Sequence, residues 1–248
     1  MHLKVSEQFY SLQGEGRTVG IPAVFLRLQG CNLTCGGKQT IRTGELDSGA
    51  TWRCDTIEIW TKGKSYAYQE LCDIWKKNNW IHFLKHGAHL VITGGEPLLQ
   101  QEAISEFLFY FKSTYNFLPV IEIETNGTIL PSHDLISCVE YFNLSPKLSN
   151  SGMLLDQRLF PDILSYFNRI SNSIFKFVVA NKEDVVEVIR DFVDSGIISH
   201  KKVFLMPGVQ NKKDLNLLEP VIINFCKQYC FKYSNRLHIQ IWDQATGV

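Results

Sequence analysis

No apolar run in the chain approaches the roughly 18–20 residues that a membrane-spanning helix needs. Neither sign of charge is in excess: 25 Lys and Arg stand against 25 Asp and Glu. That balance leaves no electrostatic footprint for duplex nucleic acid or an anionic membrane. Internal repeats, low-complexity tracts and Ser/Pro-rich linkers are missing too, which argues against solenoid or beads-on-a-string organisation. The opening residues, MHLKVSEQFYSLQGEG, lack a signal peptide's basic and apolar regions. A soluble, cytoplasmic protein is therefore expected, and 248 residues suit one domain with an ample core.

What the chain does have is seven cysteines, an odd number without the regular spacing of a secreted disulfide framework. Cys72 and Cys138 sit singly among apolar residues and read as small buried hydrophobes. Cys226 and Cys230 lie in a segment whose Ile222, Phe225, Cys226 and Tyr229 share one helical face. Cys31, Cys35 and Cys54 remain. A C-x₃-C loop can place two thiolates on adjacent irons, and a [4Fe–4S] cluster with three cysteine ligands keeps one iron open. A closed zinc site would want a fourth ligand and usually a C-x₂-C pair. A third reading leaves Cys54 unrelated, at the end of a surface loop.

Apolar periodicity alternates strands with helices. Strands are expected at 23–28, 89–93, 120–125, 139–145, 174–180, 202–206 and 237–242. Helices are expected at about 67–80, 101–111, 132–138 and 183–193, with another starting near Pro220 as its first-turn residue. This pattern predicts an α/β fold: a partial, open β/α barrel of about six mainly parallel strands. Chemistry in such folds lies at the carboxyl ends of the strands. The turns GCNLTC, GGEP, NGT, PK and PG all follow strands at that face. His82, His86 and His89 precede a strand, so a surface or capping role is expected for them.

In TGGEP (93–97) two glycines let the backbone approach a ligand closely, so Thr93, Gly94, Gly95 and Glu96 become candidate contacts to amino and carboxylate groups. Together with the three cysteines, this motif resembles the radical S-adenosylmethionine (SAM) superfamily. Longer motifs sharpen the resemblance: FYSLQGEGRTVGIPAVFLRLQGCNL (9–33), CDT (54–56), TGGEPLLQ (93–100), IEIETNGT (121–128), SPK (145–147) and the terminal TGV. They are similar to the 7-carboxy-7-deazaguanine synthase family, from about residue 5 to the end of the chain and thinly between 150 and 200.

The resemblance implies a radical SAM lyase that contracts the ring of 6-carboxy-5,6,7,8-tetrahydropterin. A 5′-deoxyadenosyl radical takes hydrogen from C6, the ring rearranges, hydrogen returns and ammonia leaves. It implies a [4Fe–4S] cluster on Cys31, Cys35 and Cys54, and Mg²⁺ on the Thr56 hydroxyl with Asp55 nearby. SAM would meet the TGGE residues, Glu124, Asn126, Ser145 and Lys147; substrate would meet Gln13, Gly14, Glu15, Arg27, Gln240 and Val248. A single domain over 1–248, a C-terminal segment closing the pocket, a homodimer and a flavodoxin-like reductant are implied as well.

One departure stands out. The superfamily spaces its cysteines C-x₃-C-x₂-C, whereas eighteen residues separate Cys35 from Cys54 here. The segment at about 36–51 looks like an insertion, and WRCDT stands where the family has WCDT. Lengthening a loop costs only ~0.6 kcal/mol per doubling, so one three-cysteine site with a looped-out detour is expected. A glycyl-radical-enzyme activase, or a structural-zinc interaction protein, are the competing readings.

Overall fold

The computed structural model describes residues 1–245 and 247. Among these, one open sheet holds nine strands: β1 (His2–Leu12), β2 (Pro22–Leu28), β3 (Lys64–Ala67), β4 (His89–Gly94), β5 (Ile121–Thr125), β6 (Tyr141–Leu144), β7 (Ser173–Val179), β8 (Val203–Pro207) and β9 (Lys232–Tyr233). Their order is β3-β1-β2-β4-β5-β6-β7-β8-β9. From β2 to β9 every neighbouring pair is parallel, while β1 runs antiparallel to both β2 and β3. The six expected parallel strands are thus β2 and β4 through β8. The antiparallel pair β1 and β3 extends one edge.

Strand alternation sorts the side chains. Val24, Leu26, Leu28, Leu90, Ile92, Ile121, Ile123, Phe142, Leu144, Phe175 and Phe177 face the helices and build the main core. The opposite parity carries a small apolar cluster, Ala23, Phe25 and Val91, with Phe9 packed on it. That parity also carries Arg27, Thr93, Glu122, Glu124, Asn143 and Lys176. Polar side chains therefore line the concave face.

The helices Tyr68–Lys77 and Gln101–Tyr115 cover the outside, with Trp75 edge-on to Phe107 at a centroid separation of 5.5 Å. Four local expectations need correction. LHIQIW forms a helix, Leu237–Trp242, because β9 already pairs with β8 at that edge and only Ile239 of the segment is buried. The helix expected from Pro220 begins at Lys212, where the Asn211 side chain accepts a hydrogen bond from the Asp214 amide at 2.9 Å. Pro220 lies inside it, giving up one backbone donor. His82 and His86 are exposed, but His89 is buried against Glu122, its Nδ1 2.5 Å from the carboxylate. Cys138 is only half-buried, at the end of a short helix, whereas Cys72 is fully enclosed.

Phe177 is fully buried and meets Phe192 at 4.8 Å. Phe177→Ala should cost about 3–5 kcal/mol in denaturant unfolding; a loss below about 1 kcal/mol would mean that the helix Lys182–Glu187 and the π-type turn after it do not pack as described.

Candidate active site at the carboxyl ends of the strands

A cavity of about 490 Å³ opens where the parallel strands end. Its floor is the turn after β4. Gly95 lies so close to the turn after β2 that an added Cβ would stand 2.3 Å from the Gly30 carbonyl oxygen and 2.5 Å from Cys31 Cβ. No side chain fits there. The Glu96 amide then donates to the Gly30 carbonyl at 2.9 Å, locking the two turns together.

Glu96 itself lies beneath the cavity wall, fully buried. Its carboxylate accepts from the Leu98 amide (3.0 Å), the Thr125 hydroxyl (2.8 Å) and the Asn126 amide (2.7 Å). Burial raises its pKa against these bonds. Thr93, Gly94 and Gly95 line the cavity, as do Glu124, Asn126, Ser145 and Lys147. The Asn126 amide side chain is spent on Asn32 and Thr128, whereas Lys147 Nζ donates to Ser145 Oγ at 2.9 Å and lies 5.7 Å from the Trp52 ring.

Cys31, Cys35 and Cys54 share one wall of this cavity, beside Leu33, Met153 and Trp52. The detour between Cys35 and Cys54 closes on itself. The Cys54 amide donates to the Cys35 carbonyl at 3.1 Å, so the third cysteine returns next to the second. The intervening loop is built and does not simply loop out. Asp47 accepts from the Lys38 (2.9 Å) and Gln39 (2.6 Å) amides, and Arg53 Nε donates to the buried Thr40 hydroxyl at 2.9 Å. The Gly36 and Thr51 amides donate to Ser151 and Asn150 carbonyls, each at 2.9 Å, moored to the loop after β6.

The three thiols suit a cluster. Burial pushes the Cys31 thiol up to about 12, against a hydrogen bond from the Leu33 amide, and the Cys35 thiol up to about 11. Metal ligation would offset that penalty by displacing the proton. Among the described residues no three Cys, His, Asp or Glu side chains converge on a single ion. A cubane takes each thiolate on a different iron, and three thiols along one wall are a donor set it could use. The Thr56 hydroxyl lies 3.5 Å from Cys54 Sγ and caps no helix amide, which leaves it open to an oxygen-seeking cation such as Mg²⁺.

Across the cavity, Arg27 is gripped by Glu7, Nε to Oε1 at 2.7 Å. Gln13 Nε2 donates to Glu124 Oε1 at 3.2 Å, and Gly14 abuts His238, whose Nδ1 an added Cβ would meet at 2.5 Å. Glu15 pairs with Lys176, and with Arg236 at 3.3 Å. Burial alone would raise the Glu15 carboxyl, but Lys176, Arg236 and His238 outweigh it and hold it far below the usual carboxylate range. Gln240 is exposed and bonded to Asn235, outside the cavity, and Val248 lies outside the described residues.

A model described as a 4Fe-4S single cluster domain matches residues 12–132. The 7-carboxy-7-deazaguanine synthase of Pyrobaculum aerophilum is 32% identical over 99% of this chain and 97% of its own length. That of Buchnera aphidicola is 31% identical over 97% of each. The chain belongs to the 7-carboxy-7-deazaguanine synthase family. The crystal structure of QueE from Escherichia coli shares the fold, with a TM-score of 0.62, 22% identity and coverage of 96% of this chain and 95% of that one.

Family motifs nevertheless left out much of what the cavity contains. Lys176, Asn143, Arg236 and His238 all line it. Lys176 carried a signal equal to that of Arg27, a lone charge in an apolar strand, IFKFVVA. Arg236 and His238 carried none while LHIQIW read as a strand. No helix among the described residues is long and apolar enough to cross a membrane.

Because the Glu15 pKa is depressed, its stabilising contribution is complete above the unfolded value of 4.5 and shrinks as pH falls below it. Glu15→Gln should therefore be markedly less stable than the parent at pH 7. The gap should narrow steadily below pH 4.5 in paired denaturation curves. A gap independent of pH across that range would contradict the ion-pair assignment.

Proposed function

We propose that this protein converts 6-carboxy-5,6,7,8-tetrahydropterin to 7-carboxy-7-deazaguanine, as a radical SAM lyase of 7-deazaguanine biosynthesis. The observation that carries the reading is the return of Cys54 to Cys35 in a family member whose spacing is interrupted: the Cys54 amide to Cys35 carbonyl bond, 3.1 Å long, restores a three-thiol wall. When bound there, a [4Fe–4S] cluster with SAM supplies a 5′-deoxyadenosyl radical.

The chain's own groups bind, orient and shield. Arg27, its Nε fixed by Glu7, offers its remaining guanidinium edge to the substrate carboxylate. Glu15 stays anionic within the cavity and can accept from the amino and ring N–H groups of a pterin. Gln13, buried beside it, reads the lactam edge. Thr56 is the protein ligand for Mg²⁺, which would neutralise the carboxylate. Ser145, Lys147 and Glu124, together with the backbone of Gly94, Gly95 and Asn126, form the SAM side, and Glu96 serves it as the brace of that floor. Ile239, Ala245 and Gly247 on the cavity rim support a C-terminal segment that limits water entry.

The whole chain forms one radical SAM domain in this reading, with the insertion at about 36–51 as an accessory of its cluster loop. A homodimer, a flavodoxin-like one-electron donor and a cytoplasmic setting rest on the family resemblance.

The test uses anaerobically reconstituted protein with SAM, reductant, Mg²⁺ and the tetrahydropterin. 7-Carboxy-7-deazaguanine should appear by mass spectrometry, vanish in Cys54→Ala, and lose its Mg²⁺ dependence together with most of its rate in Thr56→Ala. Formation of 5′-deoxyadenosine without that product in the unaltered enzyme would overturn the substrate assignment.

A further inference from the structure

Three other chain segments meet at one side chain, Arg236, and a fourth joins them through Glu15. It precedes the final helix and is only 7% exposed. Its Nε reaches Glu15 Oε1 at 3.3 Å, on the turn between β1 and β2. One terminal nitrogen reaches Asp55 Oδ2 at 2.5 Å, the residue between the third cysteine and Thr56. The other donates to the Val209 carbonyl just after β8, and Lys176 of β7 completes the cluster from the far side of Glu15. Gln210 adds a parallel tie, its side-chain amide donating to the Arg53 carbonyl at 2.9 Å.

We propose that Arg236 is a positioning residue that fixes the Cys54-Asp55-Thr56 segment relative to Glu15. It does so through the three directions of a single guanidinium. The inference deepens the functional reading above and rests on it for the roles of Thr56 and Glu15. Its physical basis is the interruption of the cluster loop. In a short C-x₃-C-x₂-C loop the covalent chain alone would hold the third cysteine segment. Here eighteen residues intervene, and although that loop is ordered, its own ties stop at Arg53 and Cys54 and do not reach the Asp55 side chain. The hydrogen bond from its amide to the Cys35 carbonyl fixes Cys54 itself, and Arg53 clamps backwards to Thr40. Asp55 is held from the opposite side, by Arg236. The planar fork suits three acceptors at fixed angles; a lysine ammonium of shorter reach cannot serve all three. Asp55 being part-exposed, this tie would loosen readily without the buried anchor on Glu15.

The test compares the cluster-loaded parent with Arg236→Lys, Arg236→Met and Asp55→Asn, by hydrogen–deuterium exchange followed by steady-state kinetics. In Arg236→Lys and Arg236→Met, amide exchange should accelerate at least tenfold both in Gly14–Thr18 and in Asp55–Ile59. The strands should be unaffected, and iron and sulfide content unchanged. In Asp55→Asn only the Asp55–Ile59 segment should loosen. The substrate KM and the Mg²⁺ concentration for half-activation should each rise about tenfold in both Arg236 variants, with kcat falling less. Should Arg236→Met not fold, Arg236→Lys and Asp55→Asn carry the test. Exchange within twofold of the parent in both segments would overturn the proposal, as would loosening spread over the whole sheet. An unaltered enzyme that forms no 7-carboxy-7-deazaguanine yet shows the localised exchange would overturn the functional reading and leave the latch standing.

Discussion

The active cavity rests on the backbone contact between the turns after β2 and β4. Gly95 and Gly30 approach so closely that a single methyl group would collide with main chain, and the Glu96 amide seals the contact. Glu96 then spends its whole carboxylate on its own turn and the end of β5, accepting from Leu98, Thr125 and Asn126. A buried carboxylate left unsatisfied would cost several kcal/mol, so these donors hold the floor in one arrangement. Cys31 sits directly on that floor. The position of Cys31 is thus set by sheet geometry, not by the loop that carries it.

The other two thiols are placed by different means. Cys35 is buried on the same loop, and Cys54 returns to it after a detour that is folded in its own right around Asp47 and Thr40. A loop with internal capping and a mooring on residues 149–152 loses little entropy when its ends meet, because it is already ordered. The same cavity carries a charged cluster, with Arg27 on Glu7 and Glu15 between Lys176 and Arg236. Each buried charge has a partner, which satisfies the requirement for burying ions at all. An oriented, low-dielectric pocket of this kind is suited to holding a charged heterocycle still while radical chemistry takes place above it.

Sequence alone exposed the parallel strands because both periodicities were clean: apolar residues at alternate positions faced the helices, and five of the six expected parallel strands ended in Gly or Pro punctuation. It exposed part of the site for the same reason, since TGGEP falls at such an end; QGEG, after the antiparallel β1, and CDT, late in the connection after β2, were legible only as motifs. β1 escaped because HLKVSEQFYSL is edge-like, with Leu3 and Val5 buried and most of the rest half-exposed. The helix Lys212–Tyr229 was cut short by a proline that suits a first turn but is tolerated at its middle. LHIQIW alternates like a strand, and only the tertiary fact that β9 occupies the edge makes it a helix, which is why Arg236 and His238 went unread. Glu96 was legible as a residue but not as a brace, because its partners lie on β5 and are distant in sequence. The folding of the 36–51 insertion was not legible at all: Asp47 capping two amides is a contact that polar composition does not encode.

Three cysteines, one of them reached by a detour, would hold a single [4Fe–4S] cluster able to bind SAM. The most direct measurement is electron paramagnetic resonance of the anaerobically reconstituted, reduced protein, with and without SAM, alongside Mössbauer spectra of the oxidised form. The expected result is a [4Fe–4S] signature whose reduced signal shifts when SAM is added. A zinc-only metal content, a two-iron spectrum, or a four-iron signal indifferent to SAM would contradict it.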